Sequence, residues 1–217
     1  MADDARRVVT REQVVLAGCE LFLRHGGVDM ERLAATLAIS RATLYRVVRG
    51  RDGLLGDVLW LLADRVLVRA RQRRANGGVE GVLEVTRYFV DRLRAATPFR
   101  AFLRGEPDTA ARVLFGEPAG VHRRAVRAQR RILLEVGGED ATAGWGGVRP
   151  DRPAPDRPGP DRPGPDRPGP DRAALDQVAF LYVRIVESAI YAELLGGAPL
   201  DPDLVERAAR TVLLQHP

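Results

Sequence analysis

The chain contains no lysine: all 34 positions counted as Lys or Arg are arginine, set against 29 acidic residues. The resulting charge of +5 over 217 residues is too small to name a nucleic-acid partner by itself, so the placement of the arginines has to decide. Cysteine is almost as scarce. Cys19 stands alone, which excludes an internal disulfide and a thiolate metal cluster, and its place in the pattern Val15, Cys19, Phe22 assigns it to a core.

Other absences narrow the function. The three histidines, His25, His122 and His216, lie far apart, and no nucleophile–base pair, phosphate loop or paired-carboxylate motif appears. No enzyme, cofactor or metal is therefore expected. No run of about 18 uncharged apolar residues occurs, and the opening MADDARRVVT lacks the apolar core of a signal sequence. A cytoplasmic protein with no membrane partner is the expectation.

Sustained strand alternation is also missing, whereas helical periodicity is nearly continuous. Val14, Val15, Cys19, Leu21 and Phe22 share one face of a helix from Thr10 to His25, with Thr10 as N-cap and Gly26-Gly27 as the stop. Asp29 caps a short helix through Leu37, and Ser40 caps a third. Beyond Gly50, further helices are expected from Leu54 into the arginine-rich stretch before Asn76, at 79–96, in pieces across 98–115, and at 121–136, 175–195 and 203–215. The fold is predicted to be all-α.

One segment departs from this. From Asp151 the sequence reads DRPAP, DRPGP, DRPGP, DRPGP, DR, a five-residue period with two prolines per unit. Such proline density forbids helix and sheet. With the glycine-rich GGEDATAGWGG before it, which includes Trp145, a disordered loop at about 137–172 is expected.

The stretch SRATLYRVVRGR, residues 40 to 51, holds four arginines and no acid. On a helix, Leu44, Val47 and Val48 fall on one face with Ile39, and Arg41, Ala42, Tyr45, Arg46 and Arg49 on the other. A basic face is compatible with solvation alone. It also fits the second helix of a helix-turn-helix, where arginine pairs with a guanine edge or holds a phosphate and hydroxyls reach phosphate oxygens.

Residues 10 to 60, TREQVVLAGCELFLRHGGVDMERLAATLAISRATLYRVVRGRDGLLGDVLW, resemble the DNA-binding region of TetR-family transcriptional repressors. The resemblance rests on LAATLAIS, on TLYR and on RDGLL in that order; Ala38 replaces the usual turn glycine, Val48 a phenylalanine and Arg51 a lysine. It implies a DNA-reading head at 1–53 and a helical ligand-binding and dimerisation domain at 54–217. Ser40, Arg41, Ala42, Thr43, Tyr45, Arg46 and Arg49 are the DNA-binding candidates, with Arg51 at the phosphate-contacting position opening the fourth helix.

FLRGEPDTAARVL and VRIVESAIYAELLGGAPLDPDLVERAARTVLL resemble the QsdR-type branch of that family, associated with control of lactone quorum-signal degradation. A lactone-like or other apolar small molecule is the effector this implies. Trp60, Tyr88, Phe89, Phe99, Phe102, Phe115, His122 and Tyr182 are candidates for lining its pocket, although aromatics at helical spacing usually just pack. Leu181, Ile185, Ala189, Ala192, Leu204, Ala208 and Val212 are the candidates for a homodimer interface. The expected protein is a ligand-responsive regulator, a repressor, bound as a dimer to a palindromic double-stranded operator. A helical partner-binding protein with a non-functional DNA head, or an α-helical enzyme, are the alternatives.

Overall fold

Thr10 opens the first helix of the computed structural model with a reciprocal cap. Its hydroxyl accepts from the amide of Gln13 at 3.2 Å, and the Gln13 side chain accepts from the amide of Thr10 at 2.9 Å. The structure describes residues 9–116, 120–137, 170–196, 198 and 200–214. Among them the chain forms ten helices and no strand.

The helices are α1 (Arg11–His25), α2 (Met30–Thr36), α3 (Arg41–Val48), α4 (Arg51–Arg73) and α5 (Gly78–Ala95). They continue as α6 (Thr97–Gly105), α7 (Pro107–Phe115), α8 (Val121–Val136), α9 (Pro170–Gly196) and α10 (Pro202–Leu214). Two compact units result. One comprises the described residues up to Gln72 with Arg87–Ala125; the other comprises Arg73–Thr86 with those from Val126 onward.

In the first unit, α1 ends where Gly26 turns left-handed at φ 70° and its amide donates to the carbonyl of Phe22 at 2.8 Å. A side chain there would also meet Ala101, since an added Cβ would lie 2.9 Å from that residue's own Cβ. Glycine is required twice over. The end of α1 therefore sits close on α6, and Phe22 meets Phe102 edge to face with ring centroids 5.7 Å apart.

Asp29 caps α2 by accepting from the amides of Glu31 at 2.8 Å and Arg32 at 3.1 Å. These amides, that of Arg32 first, hold its carboxyl below the ordinary carboxylate value. Val14, Leu33, Leu44, Val48, Leu54, Leu55 and Val58 are fully enclosed, and they knit α1 to α4 into one core. Each such side chain contributes roughly 1.5–3 kcal/mol by leaving water. Cys19 lies in this core, where burial pushes its thiol above the ordinary value.

Asp57 on α4 adds a polar tie. Its two carboxylate oxygens take Arg11 at 2.6 Å and Arg124 at 2.7 Å, fastening the first residue of α1 and the start of α8 to α4.

In the second unit, α9 buries Leu175, Ala179, Tyr182, Val183, Val186, Ala189 and Ile190, a repeat of three and four residues. It packs on α10, which turns Ala209 and Leu213 inward. Tyr182 is enclosed, and its hydroxyl shares a hydrogen bond of 2.7 Å with Thr86 of α5. Arg210 of α10 reaches Glu80 of α5 at 2.8 Å.

Two expectations are adjusted. Helix α9 begins at Pro170 rather than 175, so residues 170–172 belong to it and not to the loop; proline suits a first helical position, where its missing N–H is not needed. Ala189 faces the core of its own chain and not outward, because it follows Tyr182 and Val186 on the buried stripe. The remainder of the loop, with Trp145 and most of the repeat, and His216 lie outside the described residues.

Candidate nucleic-acid interface

The turn between α2 and α3 sets the direction in which α3 leaves α2. Leu37 ends α2, Ala38 takes a left-handed φ of 53°, its amide donates to Ala35 at 3.1 Å, and that of Ile39 donates to Ala34 at 3.0 Å. These are the two bonds of a Schellman cap, a device that usually places glycine at the left-handed position. Alanine here keeps the geometry at a strain of about 1 kcal/mol.

Ser40 then starts α3, its hydroxyl accepting from the amide of Thr43 at 3.1 Å and meeting the Thr43 hydroxyl at 2.9 Å. Leu44 and Val48 are fully buried, and this fixes the rotation of the helix. Arg41, Ala42, Tyr45 and Arg46 are exposed on the opposite side, and Arg49 is exposed at the C-cap. Thr43 is half-buried between the two faces and accepts a long contact from Arg46 at 3.4 Å. Arg41, Ala42, Tyr45, Arg46 and Arg49 thus lie on the exposed side, with Ser40 at its N-terminal end and Thr43 at its edge, and α3 itself holds no acidic residue.

The arginines nevertheless have partners from elsewhere. Arg41 pairs with Glu31 of α2, both well exposed. Arg51, the first residue of α4, is held on three sides: Nε donates to the carbonyl of Val28 at 2.9 Å, and its two terminal nitrogens donate to the two oxygens of Glu106 at 2.6 Å each. Arg51, at the position to which the family resemblance assigns a phosphate contact, is thus held within its own chain. The Arg51 hydrogen bonds hold the Glu106 carboxyl below its ordinary value, and those same bonds raise Arg51.

A cleft of about 610 Å³ opens beside this corner, lined among others by Arg32, Arg41, Arg51, Asp29, Glu31 and Glu106. Neither Glu31 nor Glu106 is marked by the sequence pattern. Glu31 lies ten residues from its arginine and Glu106 lies 55 away, and no local spacing rule reaches across such gaps. For Glu31, only its place at the first turn of α2, beside the tight turn, offered a signal.

None of the aromatic candidates for an effector pocket lines this cleft. Phe102 is enclosed against Phe22, and Tyr182 is enclosed with its hydroxyl on Thr86. Trp60, Tyr88, Phe89, Phe99 and His122 are half-buried, while Phe115 is exposed. Phe102 lies in the first unit and Tyr182 in the second.

The dimer candidates sort by face. Leu181 and Leu204 are about half exposed, at 51% and 52%. Ile185, Ala192, Ala208 and Val212 are half-buried along the same two stripes.

A family model for the tetracyclin repressor-like C-terminal domain matches residues 77–149 and 165–214, more than half of the chain, and passes over the first part of the proline repeat. The structure is similar to that of the transcriptional repressor QsdR of R. erythropolis, from the TetR family, with 23% identity and a TM-score of 0.67 over 94% of this chain and 93% of that one. A TetR-family transcriptional regulator from Streptomyces coelicolor aligns over 98% of this chain and 82% of its own, with 17% identity and a TM-score of 0.48. No curated protein matches the chain. The two matched segments, on an all-α fold that carries a helix-turn-helix, make this chain a member of the TetR family of transcriptional regulators.

Proposed function

We propose that the chain is a repressor that binds a palindromic operator as a homodimer and is released by a small apolar effector. In this reading residues 1–53 are the DNA head and 54–217 the ligand-binding and dimerisation domain. The observation that carries it is the orientation of α3: burial of Leu44 and Val48 turns Arg41, Tyr45, Arg46 and Arg49 to the outside as one cationic and aromatic face. Such a helix lies in the major groove, where arginines read guanine edges and the hydroxyls of Ser40, Thr43 and Tyr45 reach phosphate.

One head buries little surface on DNA, so two heads spaced by the helical repeat are needed for useful affinity. The exposed stripes of α9 and α10, led by Leu181 and Leu204, supply the apolar surface for pairing. A repressor of this kind acts in the cytoplasm beside its DNA, and no described helix is long and apolar enough to cross a membrane. The sequence resemblance of the C-terminal part to the QsdR-type branch is the ground for proposing a lactone-like effector, which shifts the equilibrium only through unequal affinity for the two arrangements of the heads.

Fluorescence anisotropy against duplexes tiled across the chain's own upstream DNA tests the proposal. One tile that survives excess non-specific competitor supports it, and loss of every signal to competitor counts against it. The rival reading, a head that has lost its function through its altered turn, gains no support, because Ala38 keeps the left-handed turn geometry.

A further inference from the structure

The cleft beside the reading helix is electrostatically self-cancelling. Three arginines (Arg32, Arg41, Arg51) and three carboxylates (Asp29, Glu31, Glu106) line it, so the cationic character of α3 stops at its rim. Two of the carboxylates belong to the head: Asp29 is fixed by two amides of α2, and Glu31 rides on α2 itself. The third does not. Glu106 is the single residue between α6 and α7, non-helical at φ −138° and ψ 59°, with Pro107 immediately after it.

A carboxylate that grips both terminal nitrogens of an arginine uses the same planar fork by which arginine grips a phosphate. Only one of the two ligands can occupy that edge of the guanidinium. The pair is also separable: the Arg51 and Glu106 side chains are 31% and 34% exposed, so parting them returns each to water and strands no charge in a core. Arg51 shares its cleft with Arg41 of α3, so a strand of DNA laid along α3 passes close to Arg51.

We infer that Glu106 is an internal stand-in for a DNA phosphate: it occupies Arg51 in the unbound head and must be displaced when the DNA backbone docks. Glu106 is thus a positioning residue that sets how readily the head engages DNA. It reports the placement of the α6–α7 junction, because any shift of that junction moves the carboxylate relative to Arg51. The inference rests on the DNA-binding reading above.

The test uses the full chain, wild type and Glu106→Gln, titrated with a mixed-sequence DNA duplex in a salt series, each also in an Arg51→Ala background. Removing the competing charge is expected to tighten binding roughly fivefold, the worth of a partly exposed ion pair. In the Arg51→Ala background the gain should vanish. The log–log salt slope of the Glu106→Gln chain should also lose about 0.9 when Arg51 is removed. Glu106→Ala should move affinity in the same direction, and circular dichroism melts confirm that the variants are folded.

Unchanged or weaker binding by folded Glu106→Gln and Glu106→Ala overturns the inference and leaves DNA binding intact. So does a gain that persists without Arg51, which would mark a general charge effect. If neither wild type nor Glu106→Gln binds the duplex at low salt, the DNA-binding reading itself fails, and the inference with it.

Discussion

The amide of Ile39 donates to the carbonyl of Ala34 at 3.0 Å, closing a turn whose left-handed corner is an alanine. Ala38→Gly removes the Cβ clash at φ 53° but loosens the unfolded chain, and the first effect outweighs the second. The variant should gain up to roughly 0.5 kcal/mol, seen as a slightly higher melting temperature with DNA affinity preserved. Ala38→Val should lose stability, since a β-branched residue tolerates that backbone less. Equal stability of the two variants would contradict the turn geometry.

Acid should weaken the first unit through two carboxyls, one that caps α2 and one that holds Arg51. The carboxyls of Asp29 and Glu106 sit below their ordinary values of 3.8 and 4.5, the first by hydrogen bonds from the amides of Arg32 and Glu31, the second by those from Arg51. The unfolded chain therefore binds more protons across this range, so the stabilisation is complete above the ordinary values and drains away as pH falls through the lowered ones. Asp29→Asn keeps a capping oxygen without the titration. Its melting temperature should fall less steeply below about pH 4 than that of the wild type.

Cys19 is 3% exposed and its thiol is pushed up by burial, so thiolate is scarce and access is closed. Reaction with an aromatic disulfide reagent should be slow in the native chain and become fast only with denaturant. Prompt labelling of the native protein would place Cys19 outside the core.

Leu181 and Leu204 carry the pairing surface in the proposed dimer. Both are half exposed in the single chain, so Leu181→Arg with Leu204→Arg should leave the helices formed while sedimentation shifts from dimer toward monomer. An unchanged sedimentation coefficient would move the interface elsewhere.

Much of the head was legible because its signals are local. Thr10, Asp29 and Ser40 each cap the helix they precede, and Gly26 ends the first, all within hydrogen-bond reach of neighbours in sequence. The rotation of α3 followed from the apolar set Ile39, Leu44, Val47 and Val48, of which Leu44 and Val48 are fully buried and the other two half-buried. What escaped was set by distance or by crowding. The hold of Glu106 on Arg51 spans 55 residues. On α9, apolar residues stand side by side at Phe180, Leu181 and Tyr182, so periodicity cannot say that Tyr182 turns inward and Leu181 outward. Pro170 has the composition of the repeat yet begins a helix, since proline is tolerated at that one position.

The central claim is that the outer face of α3 reads DNA. The most direct measurement is a salt series of anisotropy titrations comparing wild type with Arg41→Ala combined with Arg46→Ala, using the tile that survives competitor. Both side chains are exposed and outside the core, so the fold should stand. The double variant should lose at least tenfold in affinity, with a log–log slope shallower by roughly 0.9 for each phosphate contact removed. Unchanged affinity with an unchanged slope would contradict the account.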